Sequence, residues 1–263
     1  MGSIGEDCCM KEAKIKVLAR PKLKRPILIE GLPGLGLVGK IAIDHLIRSL
    51  KAKKFAELYS PHFPPIVIIM PDGSVRMIKN EFYYAKMRGK ARDLILLTGD
   101  HQGLTVESFY EHAGKIIDFA KRYRTSLVIT LGGLGTKKIV QRPNVFGAAS
   151  SSGLVKKYQK YNIKFDRTGT QITGAAGLLL GLGKLKGIDG LCLMGETHGN
   201  YVDPNAAKAV LKVLEKILNI KLTYKELDSQ SKQMKEMFKK LREIQKAPQK
   251  TETGKPLDLS YIR

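Results

Sequence analysis

The residues best suited to chemistry lie in short loops where glycines, or a histidine beside a carboxylate, follow apolar runs. In Gly31-Leu32-Pro33-Gly34-Leu35-Gly36-Leu37-Val38-Gly39-Lys40-Ile41, the spacing of Gly34, Gly36 and Gly39 fits the G-x-G-x-x-G turn that seats a dinucleotide pyrophosphate on a helix N-terminus. Glu57 stands roughly where a ribose-binding acid would be sought. Gly34 to Lys40 also satisfies G-x-x-x-x-G-K, but Ile41 occupies the position where a Ser or Thr hydroxyl would hold magnesium. Asp100 alone cannot complete that site, so the turn is not a working P-loop. An anion on the helix N-terminus and tight packing of helix on strand both stay open as its purpose.

Two further loops carry groups capable of acid–base work: Asp100-His101-Gln102 and Glu196-Thr197-His198, each just past an apolar run. Gly132-Gly133 would let backbone amides approach a ligand. Capping and loop hydrogen bonding is the competing use of all these side chains. His45 and His112 fall within helical patterns and read as packed or surface residues. The chain has no G-x-S-x-G, H-E-x-x-H or Cys-x-x-Cys, so hydrolase, zinc-peptidase and zinc-ribbon readings have no support. No catalytic residue, metal site or cofactor is expected.

The elements that must position these loops follow from the apolar runs. Ile27–Glu30, Ile66–Met70, Leu94–Thr98, Leu127–Leu131 and Gly190–Met194 read as strands covered on both faces, which implies an α/β fold with a mostly parallel sheet between helix layers. Pro71-Asp72-Gly73 reads as a hairpin turn, making the sheet mixed. Helices are expected at Gly39–Leu50, Thr105–Tyr123, Ala148–Tyr161, Gly174–Leu185 and Asp203–Leu218, the last with Asp203 as cap and Pro204 as first helical residue.

The organisation along the chain is a flexible N-terminus over 1–13, a core over 14–222, a charged helix over 223–247 and a flexible tail over 248–263. Leu227, Met234 and Leu241 are spaced seven apart, which suits either a short coiled-coil seam or packing on the core. The tail is mostly polar, with two Pro and one Gly, before Leu259-Ser260-Tyr261-Ile262-Arg263, an apolar tip that suits a docking peptide or one folded back on the body.

Composition narrows the function classes. With 46 Lys and Arg against 24 Asp and Glu, the net charge of +22 favours acidic partners, but charge alone supplies only a non-specific footprint and few aromatics interleave it as a stacking platform. Nucleic-acid binding is therefore not the expected main role. No apolar run reaches the roughly 18 residues of a membrane span. Three cysteines, two of them adjacent, make no disulfide framework, and a soluble cytoplasmic protein is expected.

Three motifs in order, Glu30 to Gly39, then Leu131-Gly132-Gly133-Leu134-Gly135-Thr136, then Gly195 to Gly199 with Val202-Asp203-Pro204 and Ala206-Ala207-Lys208, resemble the archaeal proteasome-assembly-chaperone family. The resemblance runs from about Lys14 to Leu222. It implies a three-layer α/β/α sandwich, phosphorylase/hydrolase-like but without the chemistry, in a homo-oligomer (tetramer or pentamer) that engages the 20S proteasome α-ring as assembly chaperone or activator. A paralogous chaperone subunit is a further partner it leaves open. Some relatives carry ATP-grasp or carboligase labels, which Ile41 does not support. Activator tails of this kind end hydrophobic, Tyr, any residue. Here Tyr261 is third from the end, a shift of one, so the docking contact is assigned to Leu259, Tyr261, Ile262 and Arg263. The alternative is a nucleotide- or nucleoside-binding enzyme, an ATP-dependent ligase or phosphorylase-like protein, using Gly34, Gly36, Gly39, Lys40, Asp100, His101, Glu196 and His198.

Overall fold

Strands β1 (Lys14–Val17) and β2 (Ile27–Glu30) lead into helix α1 (Val38–Ser49) in a computed structural model that describes residues 10–246 apart from 90, 138, 139, 166–168 and 170. There follow β3 (Lys53–Tyr59), β4 (Val67–Ile69), β5 (Val75–Met77), β6 (Asn80–Ala85), β7 (Leu94–Gly99), α2 (Val106–Arg122), β8 (Leu127–Gly135), β9 (Val145–Ala149) and α3 (Ser152–Tyr158). The described chain closes with β10 (Ile163–Lys164), α4 (Gly174–Leu185), β11 (Asp189–Thr197), α5 (Pro204–Leu218) and α6 (Lys225–Lys246).

The strands form one sheet in the order β1-β3-β6-β7-β2-β8-β11-β9-β10, beside a separate β4–β5 ribbon. Its centre, β7-β2-β8-β11, is parallel; β1, β3, β6 and β7 pair antiparallel in turn, and β9 is antiparallel to β11 with β10 parallel to β9, so the expected mixed sheet is present. The central strands are apolar because both faces are covered. On one face Ile29, Ile129 and Leu193 meet Val38, Ala42 and Leu46 of α1 and Ala206 and Val210 of α5. On the other, Leu28, Ile95 and Val128 meet Ile116 and Phe119 of α2 and Leu179 of α4. These are the three layers. Among the described residues no helix is long and apolar enough to cross a membrane.

Several sequence expectations need correction. Ile66–Met70 does not join the main sheet: its middle pairs with β5 across the expected Pro71-Asp72-Gly73 turn, where Gly73 has φ of 81°. The helix expected over Ala148–Tyr161 starts later, because Val145–Ala149 pairs with β11 and the Ser151 hydroxyl accepts the Leu154 N–H to cap α3. The strand expected over Leu127–Leu131 runs on through Gly132-Gly133, paired with Met194-Gly195 of β11. Of the charged C-terminal helix, Leu227 is buried on the body and the Tyr224 ring just before it stacks on His45 at 5.7 Å, so its first turns pack on the core.

Candidate functional site

Strand register brings three polar side chains into one row. Glu30 of β2 lies opposite Thr130 of β8, which lies opposite Cys192 of β11, and all three are buried. Glu30 is two residues on from Leu28, so it shares the sheet face covered by α2 and α4. Its Oε1 accepts the Leu32 N–H at 2.8 Å, and among the described residues Oε2 has no hydrogen-bond partner. Burial pushes the Glu30 carboxyl up to about 8 against the pull of that single N–H. Burial likewise pushes the Cys192 thiol up to about 12, with Thr130 opposing and Glu30 adding to the shift. Above the row opens a cleft of about 530 Å³ between the glycine-rich turn, the loop at His101–Gly103 and the N-terminus of α4.

The glycine-rich turn is built for contact between backbones. Gly36 and Leu37 take positive φ of 61° and 51° in a tight turn before α1. A Cβ on Gly39 would stand 2.2 Å from the Leu131 oxygen, and one on Gly31 2.3 Å from the Gly39 oxygen. These glycines seat α1 directly on β2 and β8, which is the packing use of the motif. Lys40 is committed elsewhere: its Nζ donates to Asp44 at 2.6 Å and to Thr98 at 2.9 Å. Glu57 is no ribose acid, for it sits on β3, three strands from β2, and is held by Lys54 and Lys79. Lys40 and Glu57 therefore complete neither phosphate template.

The other loop candidates are similarly bound. Arg76 grips Asp100 with two hydrogen bonds, at 2.6 and 3.0 Å, and the Lys79 N–H adds a third. Burial raises the Asp100 carboxyl, but those bonds outweigh it and hold the group below its ordinary range. His101 Nδ1 accepts the Gly103 N–H at 3.0 Å. Glu196 accepts from the Asn144 amide side chain at 2.7 Å, and His198 stacks on Tyr201 at 5.2 Å. Of the predicted loop residues, Gly34 and His101 line the cleft; Gly36, Gly39, Lys40, Asp100, Glu196 and His198 do not. His112 is buried, its Nδ1 2.8 Å from the Gln102 carbonyl. Among the described residues no group of three His, Cys, Asp or Glu is placed to hold a metal ion.

Sequence reasoning missed Glu30, Thr130, Cys192 and the role of Gln102. The Gln102 amide donates to the Pro33 carbonyl at 2.5 Å and accepts the Ala175 N–H at 2.8 Å, tying the glycine-rich turn to α4. A charge at the end of Ile-Leu-Ile-Glu was the available signal for Glu30. Leu259, Tyr261, Ile262 and Arg263 lie outside the described residues.

Comparison with known proteins places this geometry. The chain is 39% identical over 243 residues to uncharacterized protein MJ1210 of Methanocaldococcus jannaschii, covering 91% of this chain and 93% of that protein. The crystal structure of Pyrococcus furiosus PbaB, an archaeal proteasome activator, matches with a TM-score of 0.85 and 44% identity over 89% of this chain and 100% of that one. Pyrococcus furiosus PbaA, an archaeal homolog of proteasome-assembly chaperone, matches with a TM-score of 0.74 and 29% identity over 89% of this chain and 93% of that one. Neither description is of an enzyme, in agreement with the expectation of a non-enzymatic protein, and neither supports an ATP-grasp or carboligase label. The PAC2 family model matches residues 28–242, and the chain belongs to the PAC2 family.

Proposed function

We propose that this protein is a proteasome-binding chaperone or activator: the α/β body assembles with copies of itself, and the segment Leu259–Arg263 docks on the α-ring of the 20S particle. The observation that carries this reading is the likeness to PbaB, which at 44% identity and a TM-score of 0.85 extends over the whole of that activator. Commitment of Lys40, Asp100, Glu57 and Glu196 to internal ion pairs and hydrogen bonds supports a binding role over the ligase or phosphorylase-like alternative. So does the β4–β5 ribbon, where Val67 faces Met77 and Ile69 faces Val75, each more than half exposed, an apolar face of the kind that marks protein contacts.

Several tails carried by one oligomer raise apparent affinity through effective concentration. Extended at roughly 3.3 Å per residue, the stretch from Pro248 would reach about 50 Å. The test is binding of the full chain to archaeal 20S particles, read by sedimentation and by peptide hydrolysis, beside a chain lacking Leu259–Arg263 and a Tyr261→Ala variant. Loss of at least about tenfold in affinity is expected for both. Undiminished binding removes the tail from the mechanism, and no binding by the intact chain ends the proposal.

A further inference from the structure

We propose that the cleft above Glu30 binds a small uncharged organic molecule, one that is largely apolar and accepts a hydrogen bond from the Glu30 carboxyl. This inference stands independently of proteasome binding. Glu30 is 1% exposed and lines the cleft, with Oε1 occupied by the Leu32 N–H and, among the described residues, no hydrogen-bond partner for Oε2. A buried polar atom of this kind calls for a partner, and Glu30 is among the residues that line the cleft.

The walls define the chemistry of that partner. Leu32, Phe109, Ile172 and Met194 make them mainly apolar, and among the described residues neither Lys, Arg nor Asp lines the cleft. Among those residues an anion would meet a carboxyl with no cation to offset it. Lys40, the nearest candidate by sequence, is held by Asp44 and Thr98. The carboxyl itself is a neutral acid at pH 7, since burial raises it to about 8, and a neutral acid has an O–H to donate. The volume of about 530 Å³ is that of a small-molecule site.

Two details of the frame point the same way. A Cβ at Gly132 would meet nothing within 4 Å, whereas one at neighbouring Gly133 would stand 2.3 Å from the Leu35 oxygen. Packing therefore demands glycine at 133 and not at 132, where its effect is to keep the cleft floor open. Gln102 bridges the two walls through Pro33 and Ala175, so the site is held in shape before anything enters.

Saturation-transfer NMR on the full chain with 2-pyridone, N-methylbenzamide, benzoate and benzylamine tests the proposal. The two neutral acceptors are expected to bind at pH 6.5 and benzoate not to. Binding should fall at least about tenfold in Glu30→Leu and in Gly132→Val, and persist in Glu30→Gln, whose amide still donates. Gly132→Val extends into open space, so it remains informative if Glu30→Leu fails to fold. Above the Glu30 pKa the affinity of the neutral probes should drop about tenfold per pH unit. Among the described residues the other titratable groups facing the site are His101 in the loop after β7 and the Cys192 thiol on β11, held neutral by burial, so the profile is repeated in His101→Gln. Absence of binding by both neutral probes, equal binding to Glu30→Leu, or preferential binding of benzylamine with affinity rising toward alkaline pH would each overturn the proposal.

Discussion

Glu30 and Glu57 are buried carboxylates on the same sheet, 1% and 6% exposed, yet their acidities move in opposite directions. At Glu57 burial raises the pKa, but Lys54 at 2.8 Å, Lys79 at 2.6 Å and the Tyr59 hydroxyl at 2.9 Å outweigh it and hold the group at about 2. At Glu30 a single backbone N–H opposes burial, and the carboxyl rises to about 8. Burial sets the cost of a charge; the partners decide whether the charge is kept. Glu57 is a structural clamp between β3, β5–β6 and their lysines, whereas Glu30 has donor capacity left for something outside the chain.

The largest expected effect tests the Glu30 side of this contrast. The folded chain retains a proton on Glu30 that the unfolded chain loses above about 4.5, so stability falls as pH rises from about 4.5 to about 8. Glu30→Leu removes that dependence, at a pH-independent cost for the Leu32 N–H that loses its acceptor. In urea unfolding, the variant should gain on the wild type across this window, reaching a difference on the order of a few kcal/mol near pH 8. A difference that stays flat with pH would place Glu30 in a satisfied environment and break the comparison.

Lys79→Met probes the opposite pole. It removes one of the two cations on Glu57 from a site where Lys79 is itself 13% exposed, and should cost about 2 kcal/mol at pH 7, discounted from a fully buried pair because Lys54 stays. The folded pKa of Glu57 is depressed, so its contribution is present above about 4.5 and is lost as pH falls toward about 2. The gap between Lys79→Met and wild type should accordingly close over that acid range. A gap unchanged down to pH 2 would assign the loss to packing of the lysine stem instead.

What the sequence made legible follows the same division. The four central strands could be read because both faces are covered and their residues are almost all apolar, as in Leu94–Leu97 and Leu127–Ile129. Strands β3 and β6 were missed because the antiparallel flank places Lys54, Glu57 and Glu81 among the apolar residues, where a sheet with ion pairs across its strands tolerates them. At the site, the glycines were visible but their reason was not: Gly39 needs closeness to Leu131, a contact between elements far apart in the chain. Thr130 and Cys192 look like ordinary strand residues, and only the register of β2, β8 and β11 sets them beside Glu30. The direction of Lys40, into Asp44 and Thr98, is likewise a property of helix-on-sheet packing that a motif does not encode.

The smallest expected effect concerns a carboxylate that burial does not reach. Arg48 of α1 meets Glu226 of α6 at 3.2 Å, with side chains 54% and 53% exposed. Water already stabilises both ions there, so holding two long side chains together gains little, and Arg48→Ala should change stability by less than about 0.5 kcal/mol. The seating of α6 depends instead on buried Leu227 and on the Tyr224 ring stacked on His45, which the substitution leaves in place. Amide hydrogen exchange in the first turns of α6 should therefore match the wild type at low and at high salt. Strong, salt-dependent loss of protection would mean that this pair, like the one at Glu57, is a clamp, and that exposure does not separate working ion pairs from idle ones in this fold.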